Sequence, residues 1–134
     1  MIDYQFTLDF EVRDYECDLQ SIVNNAVYQH YLEHTRHVFL RQKVIDVTSL
    51  AMRGINLVVI RAEIDYLYPL QSGDKFSVGL NMERFSRLRF SFLQDMFRYP
   101  DNKPIVKSKF ICTSVSETGK PYLATEVEEL MDDH

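Results

Sequence analysis

The sequence predicts an α+β domain in which an antiparallel sheet of about five strands packs with one long helix. Two observations carry that expectation. Apolar residues alternate with polar ones in several short runs, the period of a strand with one buried face. A single stretch, from about Ala26 to Arg41, repeats its apolar residues at helical spacing instead. The 134 residues sit near the commonest domain size, so 1–134 reads as one domain.

In chain order, Phe6, Leu8, Phe10 and Val12 alternate with Thr7, Asp9, Glu11 and Arg13, which makes the first strand. The polar run Asp14 to Asp18 leaves that strand as a loop. In the helix, Val27, Tyr28, Tyr31, Leu32, Thr35, Val38 and Phe39 share one stripe. Gln29, His30, Glu33, His34, His37 and Arg41 lie on or near the opposite side. Asn24 or Asn25 is placed to cap the helix, its side-chain oxygen accepting from a first-turn amide.

Beyond residue 54 the pattern is all strand. An apolar run from Ile55 to Ile60 continues into alternation of Ala62, Ile64, Tyr66 and Tyr68, and Pro69 with Ser72-Gly73-Asp74 marks a turn. Phe76, Val78, Leu80 and Met82 form the next strand, which turns near Ser86. A strand from about Leu88 to Arg98 meets the turn Asp101-Asn102-Lys103-Pro104, and the last runs from about Ile105 to Val115. The acidic stretch from about 124 to 134 is expected to be a solvated, frayed tail. One helix does not cover a face of so broad a sheet, so a homodimer or homotetramer is expected.

Composition narrows the function. The chain is 46% hydrophobic and 26% charged, which argues against disorder. A net charge of −5 argues against nucleic acid and anionic membrane as partners. The two cysteines, Cys17 and Cys112, read as free thiols. Neither a basic-then-apolar leader nor an apolar run of about 18 residues is present, so a cytoplasmic location is expected. There is no nucleophile elbow, P-loop or C-x-x-C pair. His30-Tyr31-Leu32-Glu33-His34 spells H-x-x-E-H, but His30, Glu33 and His37 project from a polar helix face and no third ligand is evident. No metal and no cofactor are expected.

The informative segment runs from Tyr15 to Tyr28. It sets a carboxylate, Asp18, in the loop just before the longest helix. A helix start presents unpaired amides and partial positive charge, which can hold a carbonyl oxygen as negative charge develops on it. Asp18 would then act as general base for water or as nucleophile. The competing reading is a carboxylate that only caps its own loop. Cys17 is a poor nucleophile there, since the adjacent carboxylate disfavours its thiolate.

Asp18, followed by Ile22-Val23-Asn24-Asn25-Ala26 and Tyr28, then by Tyr31-Leu32-Glu33 and Arg36, resembles the hotdog-fold thioesterases of the 4-hydroxybenzoyl-CoA type. Val12-Arg13-Asp14-Tyr15-Glu16 and Val23-Asn24-Asn25-Ala26 are most similar to the plastid acyl-lipid thioesterases of plants. The resemblance covers about residues 5 to 116. It implies a hotdog fold, a long helix wrapped by the sheet, and hydrolysis of an acyl-CoA or acyl-carrier-protein thioester. It places Asp18 at the catalytic aspartate and gives the amide near Asn25 the task of polarising the thioester carbonyl. Arg36 would orient substrate or loop, against the alternative of a solvated arginine or a partner to Glu33. Tyr28 would line the acyl chain at a subunit interface.

Arg84, Arg87 and Arg89 bracket a turn, with Arg98, Lys103, Lys107 and Lys109 on nearby strands. The resemblance implies that Arg87 and Arg89 hold coenzyme A phosphates; the alternative is protection of a strand edge. Two departures stand out. Many members read Asp-Pro-x-Gly where this chain has Asp18-Leu19-Gln20-Ser21, and serine tolerates a positive φ poorly. Gln20 and Ile22 also replace the asparagine and histidine of the plant acyl-carrier-protein enzymes, so that multi-residue mechanism is not expected. The rival function is a non-catalytic acyl-CoA or acyl-carrier binder. A hotdog dehydratase would need a histidine that the segment lacks.

Overall fold

A computed structural model describes residues 3–43 and 47–132. Strand β1 (Phe6–Glu11) is followed by a short 3₁₀ turn (Asp14–Glu16) and helix α1 (Asn25–Gln42). A short helix α2 (Val47–Met52) leads into β2 (Asn56–Tyr66), β3 (Lys75–Arg84), β4 (Arg89–Tyr99) and β5 (Lys103–Val115), and α3 (Thr125–Asp132) ends the described chain. The five strands form one antiparallel sheet in the order β1-β3-β4-β5-β2. This is the hotdog arrangement.

Period-two alternation sends one set of side chains to the face covered by α1. Phe76, Val78 and Leu80 from β3, with Phe90 and Met96 from β4, are fully buried there. They meet Tyr31, Leu32 and Phe39 of the helix stripe; the Tyr31 and Phe76 ring centroids lie 4.8 Å apart, and Phe10 stacks on Phe76 at 5.1 Å. Each such side chain contributes about 1.5–3 kcal/mol by leaving water. Asn24, not Asn25, caps α1, its Oδ1 accepting from the Ala26 N–H at 2.9 Å.

Topology sets the two ends of the sheet. Glu11 pairs with Lys75 at one end, where the Val23 N–H donates to the Leu70 carbonyl just before α1 begins. The β3–β4 turn around Arg84 to Arg89 lies at the other end, about 30 Å away at roughly 3.3 Å per residue.

Two features differ from expectation. The acidic C-terminal stretch is not a frayed tail: it forms α3, with Val127 and Met131 buried and Leu123 and Ala124 buried just before it. Asp133 and His134 lie outside the described residues. Helix α2 was also unanticipated, because six residues are too few to show a period. Strand β2 is unlike the others. It is one of the two sheet edges, carries a register shift between Val59 and Arg61, and leaves Val59 and Ile60 each 46% exposed.

Candidate active site

The Asp18 loop is a tight hairpin. Cys17 bridges to Val23, the Asp18 N–H donates to the Ile22 carbonyl at 2.9 Å, and the Ser21 N–H donates to the Asp18 carbonyl at 3.0 Å. Its tightness requires Ser21 to sit at φ 65°, so the positive-φ conformation survives without the glycine. Asp18 is exposed, and its Oδ1 accepts from the Gln20 N–H at 2.9 Å. The carboxylate therefore caps its own turn through one oxygen, while Oδ2 has no partner among the described residues.

The hairpin hands directly into α1. Asn24 occupies the Ala26 N–H through its side chain and the Val27 N–H through its carbonyl at 2.9 Å. The Asn25 N–H is the first-turn amide left without an acceptor among the described residues. Asn25 lines a cavity of about 150 Å³ with Ile22, Tyr28 and Tyr66, and Asp18 lies outside that lining, in the hairpin that precedes α1.

Two tyrosines fasten this end. The Tyr31 hydroxyl donates to Glu16 Oε1 at 2.8 Å, tying the turn that carries Asp18 to α1. Burial and the Glu16 carboxylate both push the Tyr31 phenol well above its ordinary value, which keeps it a donor. Tyr28 is buried, accepts from the Leu70 N–H at 2.9 Å and meets Tyr66 edge-on at 5.5 Å, so its ring walls the cavity while its hydroxyl holds the β2–β3 loop. Burial, reinforced by Asp14, Glu16 and Asp18, raises the Cys17 thiol.

Arg36 is not solvated and does not pair with Glu33. It is 8% exposed, its Nη1 donates to Gln94 Oε1 at 3.0 Å, and its guanidinium lies 4.2 Å from the centre of the Phe110 ring. Gln94 Nε2 in turn donates to the Leu32 carbonyl at 2.9 Å. Sequence reading missed Gln94, although its signal was there: a polar residue in the inward register of Phe90, Phe92 and Met96. Burial lowers the Arg36 pKa, and burial pushes the neighbouring Cys112 thiol up to about 11, so that thiol stays neutral.

Arg87 and Arg89 are exposed and make no ion pair among the described residues. They stand at the far end of the sheet from Asp18, so one chain does not bring the two groups together. Arg84 is engaged by Glu128 at 3.0 Å and Arg98 by Asp101 at 2.6 Å. His30 and His34 are exposed on α1, and no metal-sized cluster of three or more His, Cys, Asp or Glu occurs among the described residues. No helix of the described chain is long and apolar enough to cross a membrane.

A family model described as the Thioesterase-like superfamily matches residues 12–130, spanning the Asp18 hairpin, α1 and every strand after it. The chain belongs to the thioesterase-like superfamily. Among curated relatives it is 36% identical over 114 residues to the chloroplastic acyl-acyl carrier protein thioesterase ATL3 of Arabidopsis thaliana. That match covers 85% of this chain and 60% of the relative, so the chain spans little more than half of the plant protein. A putative esterase of Aquifex aeolicus is 37% identical over 87 residues, 65% of this chain and 68% of that one. The fold superposes on the 1,4-dihydroxy-2-naphthoyl-CoA thioesterase Slr0204 from Synechocystis with TM-score 0.86 at 17% identity, covering 96% of this chain and 98% of the other. It also superposes on a hypothetical Aquifex aeolicus protein with TM-score 0.85 at 31% identity, covering 94% and 98%.

Proposed function

We propose that this superfamily member hydrolyses an acyl thioester of coenzyme A or acyl carrier protein. What carries the reading is a half-free carboxylate, Asp18 Oδ2, in the hairpin that leads directly into the helix whose first amide, Asn25 N–H, is unoccupied among the described residues. The thioester carbonyl oxygen accepts from that amide, where the helix dipole favours the charge that develops on it. Asp18 takes a proton from a water that attacks the carbonyl carbon and passes it to the leaving thiolate. Acting instead as nucleophile, it forms an acyl-aspartyl anhydride as the thiolate leaves, and a water then hydrolyses that anhydride and supplies the thiol proton. The C–S bond breaks, and the thiol leaves with the proton while the acyl group leaves as the carboxylic acid. The named activities of the plant and cyanobacterial relatives support this chemistry.

The working unit in this reading is a dimer joined at β2. An exposed apolar edge strand presents unpaired backbone groups to a second copy. Antiparallel pairing of two β2 strands turns the Arg87–Arg89 end of one chain to the Asp18 end of the other. Those arginines would then hold the carrier's phosphates.

Thiol release from a panel of acyl-CoA and acylated carrier substrates tests the reading. Asp18→Asn is expected to keep its melting curve and to lower kcat/KM by roughly a hundredfold or more. Undiminished turnover in that variant removes Asp18 from the chemistry. Tight acyl-CoA binding without thiol release in the wild type assigns the chain a binding role instead.

A further inference from the structure

The seam between α1 and the edge strand β2 holds two further cavities beyond the one beside Asn25, and Arg36 lines both of them. One, of about 390 Å³, is also walled by Ala26, Ala62 and Phe110; the other, of about 100 Å³, by Leu40, Phe92 and Cys112. The smaller cavity is walled mainly by apolar side chains, whereas Gln29 and His30 also line the larger, and Glu33 lines both beside Arg36. Arg36 has no carboxylate within ion-pair distance among the described residues; the exposed Glu33 carboxylate acts on it from farther off, and burial outweighs that pull. A buried guanidinium without a directly paired carboxylate is expensive, and fastening helix to sheet needs no charge, since an apolar side chain would pack there as well.

The guanidinium is also aimed. Gln94 accepts from Nη1 while donating to the Leu32 carbonyl, and the Phe110 face holds the plane. Gln94 is the one hydrogen-bond acceptor of the guanidinium among the described residues, and Arg36 lines both cavities. From Asn25 to Arg36 is eleven residues of one helix, roughly 16 Å at 1.5 Å per residue, the reach of an extended chain of about a dozen carbons.

We infer that Arg36, held by Gln94, binds an oxygen on the acyl group far from the thioester, so that acyl chains oxygenated about a dozen carbons out are preferred to plain hydrocarbon. The inference rests on the hydrolase reading for its substrate, and on the α1–β2 seam for its site.

The test compares kcat/KM for dodecanoyl-CoA with that for its ω-hydroxy, ω-oxo and ω-carboxy counterparts, and for matched chains a few carbons shorter and longer. The wild type is expected to favour the oxygenated chain by about tenfold or more at the matching length. Arg36→Met is expected to erase that preference, read as the ratio of kcat/KM for the oxygenated chain to that for dodecanoyl-CoA within the same variant. A larger gain for the ω-carboxylate assigns the recognition to charge; equal gains for all three assign it to hydrogen bonding. Equal wild-type rates on plain and oxygenated chains overturn the inference whatever the variant does. So does a preference that survives in Arg36→Met. If no thioester is cleaved, the hydrolase reading fails by itself, and the dissociation constants of the same acyl-CoAs decide the inference: tighter binding of the oxygenated chains supports it and equal binding overturns it.

Discussion

Ser21 shows how much the Asp18 hairpin matters to this chain. A left-handed backbone costs a non-glycine residue about 1–2 kcal/mol, yet Ser21 holds φ 65° because two backbone hydrogen bonds across the hairpin demand it. Ser21→Gly is expected to raise stability by several tenths to about 1 kcal/mol, the relieved strain less the greater entropy of glycine in the unfolded chain. Urea melts of the two proteins would show it, and an unchanged or lower midpoint would mean that the turn is not left-handed. At this scale the sequence was half legible. Asp18, Asn24 and Asn25 stood out because a carboxylate and two amides before a helix have few bland uses. For Arg36 only the alternative of a solvated or Glu33-paired side chain falls away, since the side chain is buried and donates to Gln94. Its spacing, four residues after Leu32 and four before Leu40, already placed it on the buried stripe.

Among the elements, the strands and α1 were readable because each has one buried face and enough residues to repeat its period. Helix α3 was hidden by its charge. Glu126, Glu128 and Glu129 dominate the stretch, but Leu123, Val127 and Met131 recur every fourth residue and face the core. The helix is also held by two surface pairs, Arg53 with Glu126 at 2.7 Å and Arg84 with Glu128 at 3.0 Å, each exposed enough to add little. Its worth therefore lies in the apolar stripe. Val127→Asp buries a charge with no partner and is expected to cost about 3 kcal/mol or more, whereas Glu129→Lys on the exposed face is expected to stay within about 0.5 kcal/mol. Thermal melts of the pair separate a packed helix from a solvated tail, since a tail would leave both variants alike.

For the molecule as a whole, the decisive fact is that Asp18 and the exposed arginines Arg87 and Arg89 occupy opposite ends of one sheet. A single chain with that layout cannot place a carrier phosphate on the arginines and its thioester beside Asp18 without spanning about 30 Å of sheet. Two chains joined antiparallel at β2 solve the problem by symmetry, because each then lends its arginine end to the other's helix start. This layout predicts complementation between damaged chains. Asp18→Asn and the double variant Arg87→Ala, Arg89→Ala are each expected to be weak alone. Unfolded and refolded together in equal amounts, they form mixed dimers in which one site keeps both an intact Asp18 and intact partner arginines, so activity should recover to about a quarter of wild type. Were both groups used within one chain, every site in the mixture would lack one of them, and mixing would return only the average of the two parents. A substitution that spoils the edge, such as Ile60→Pro, should abolish the recovery together with the dimer, and light scattering on the same samples would register both.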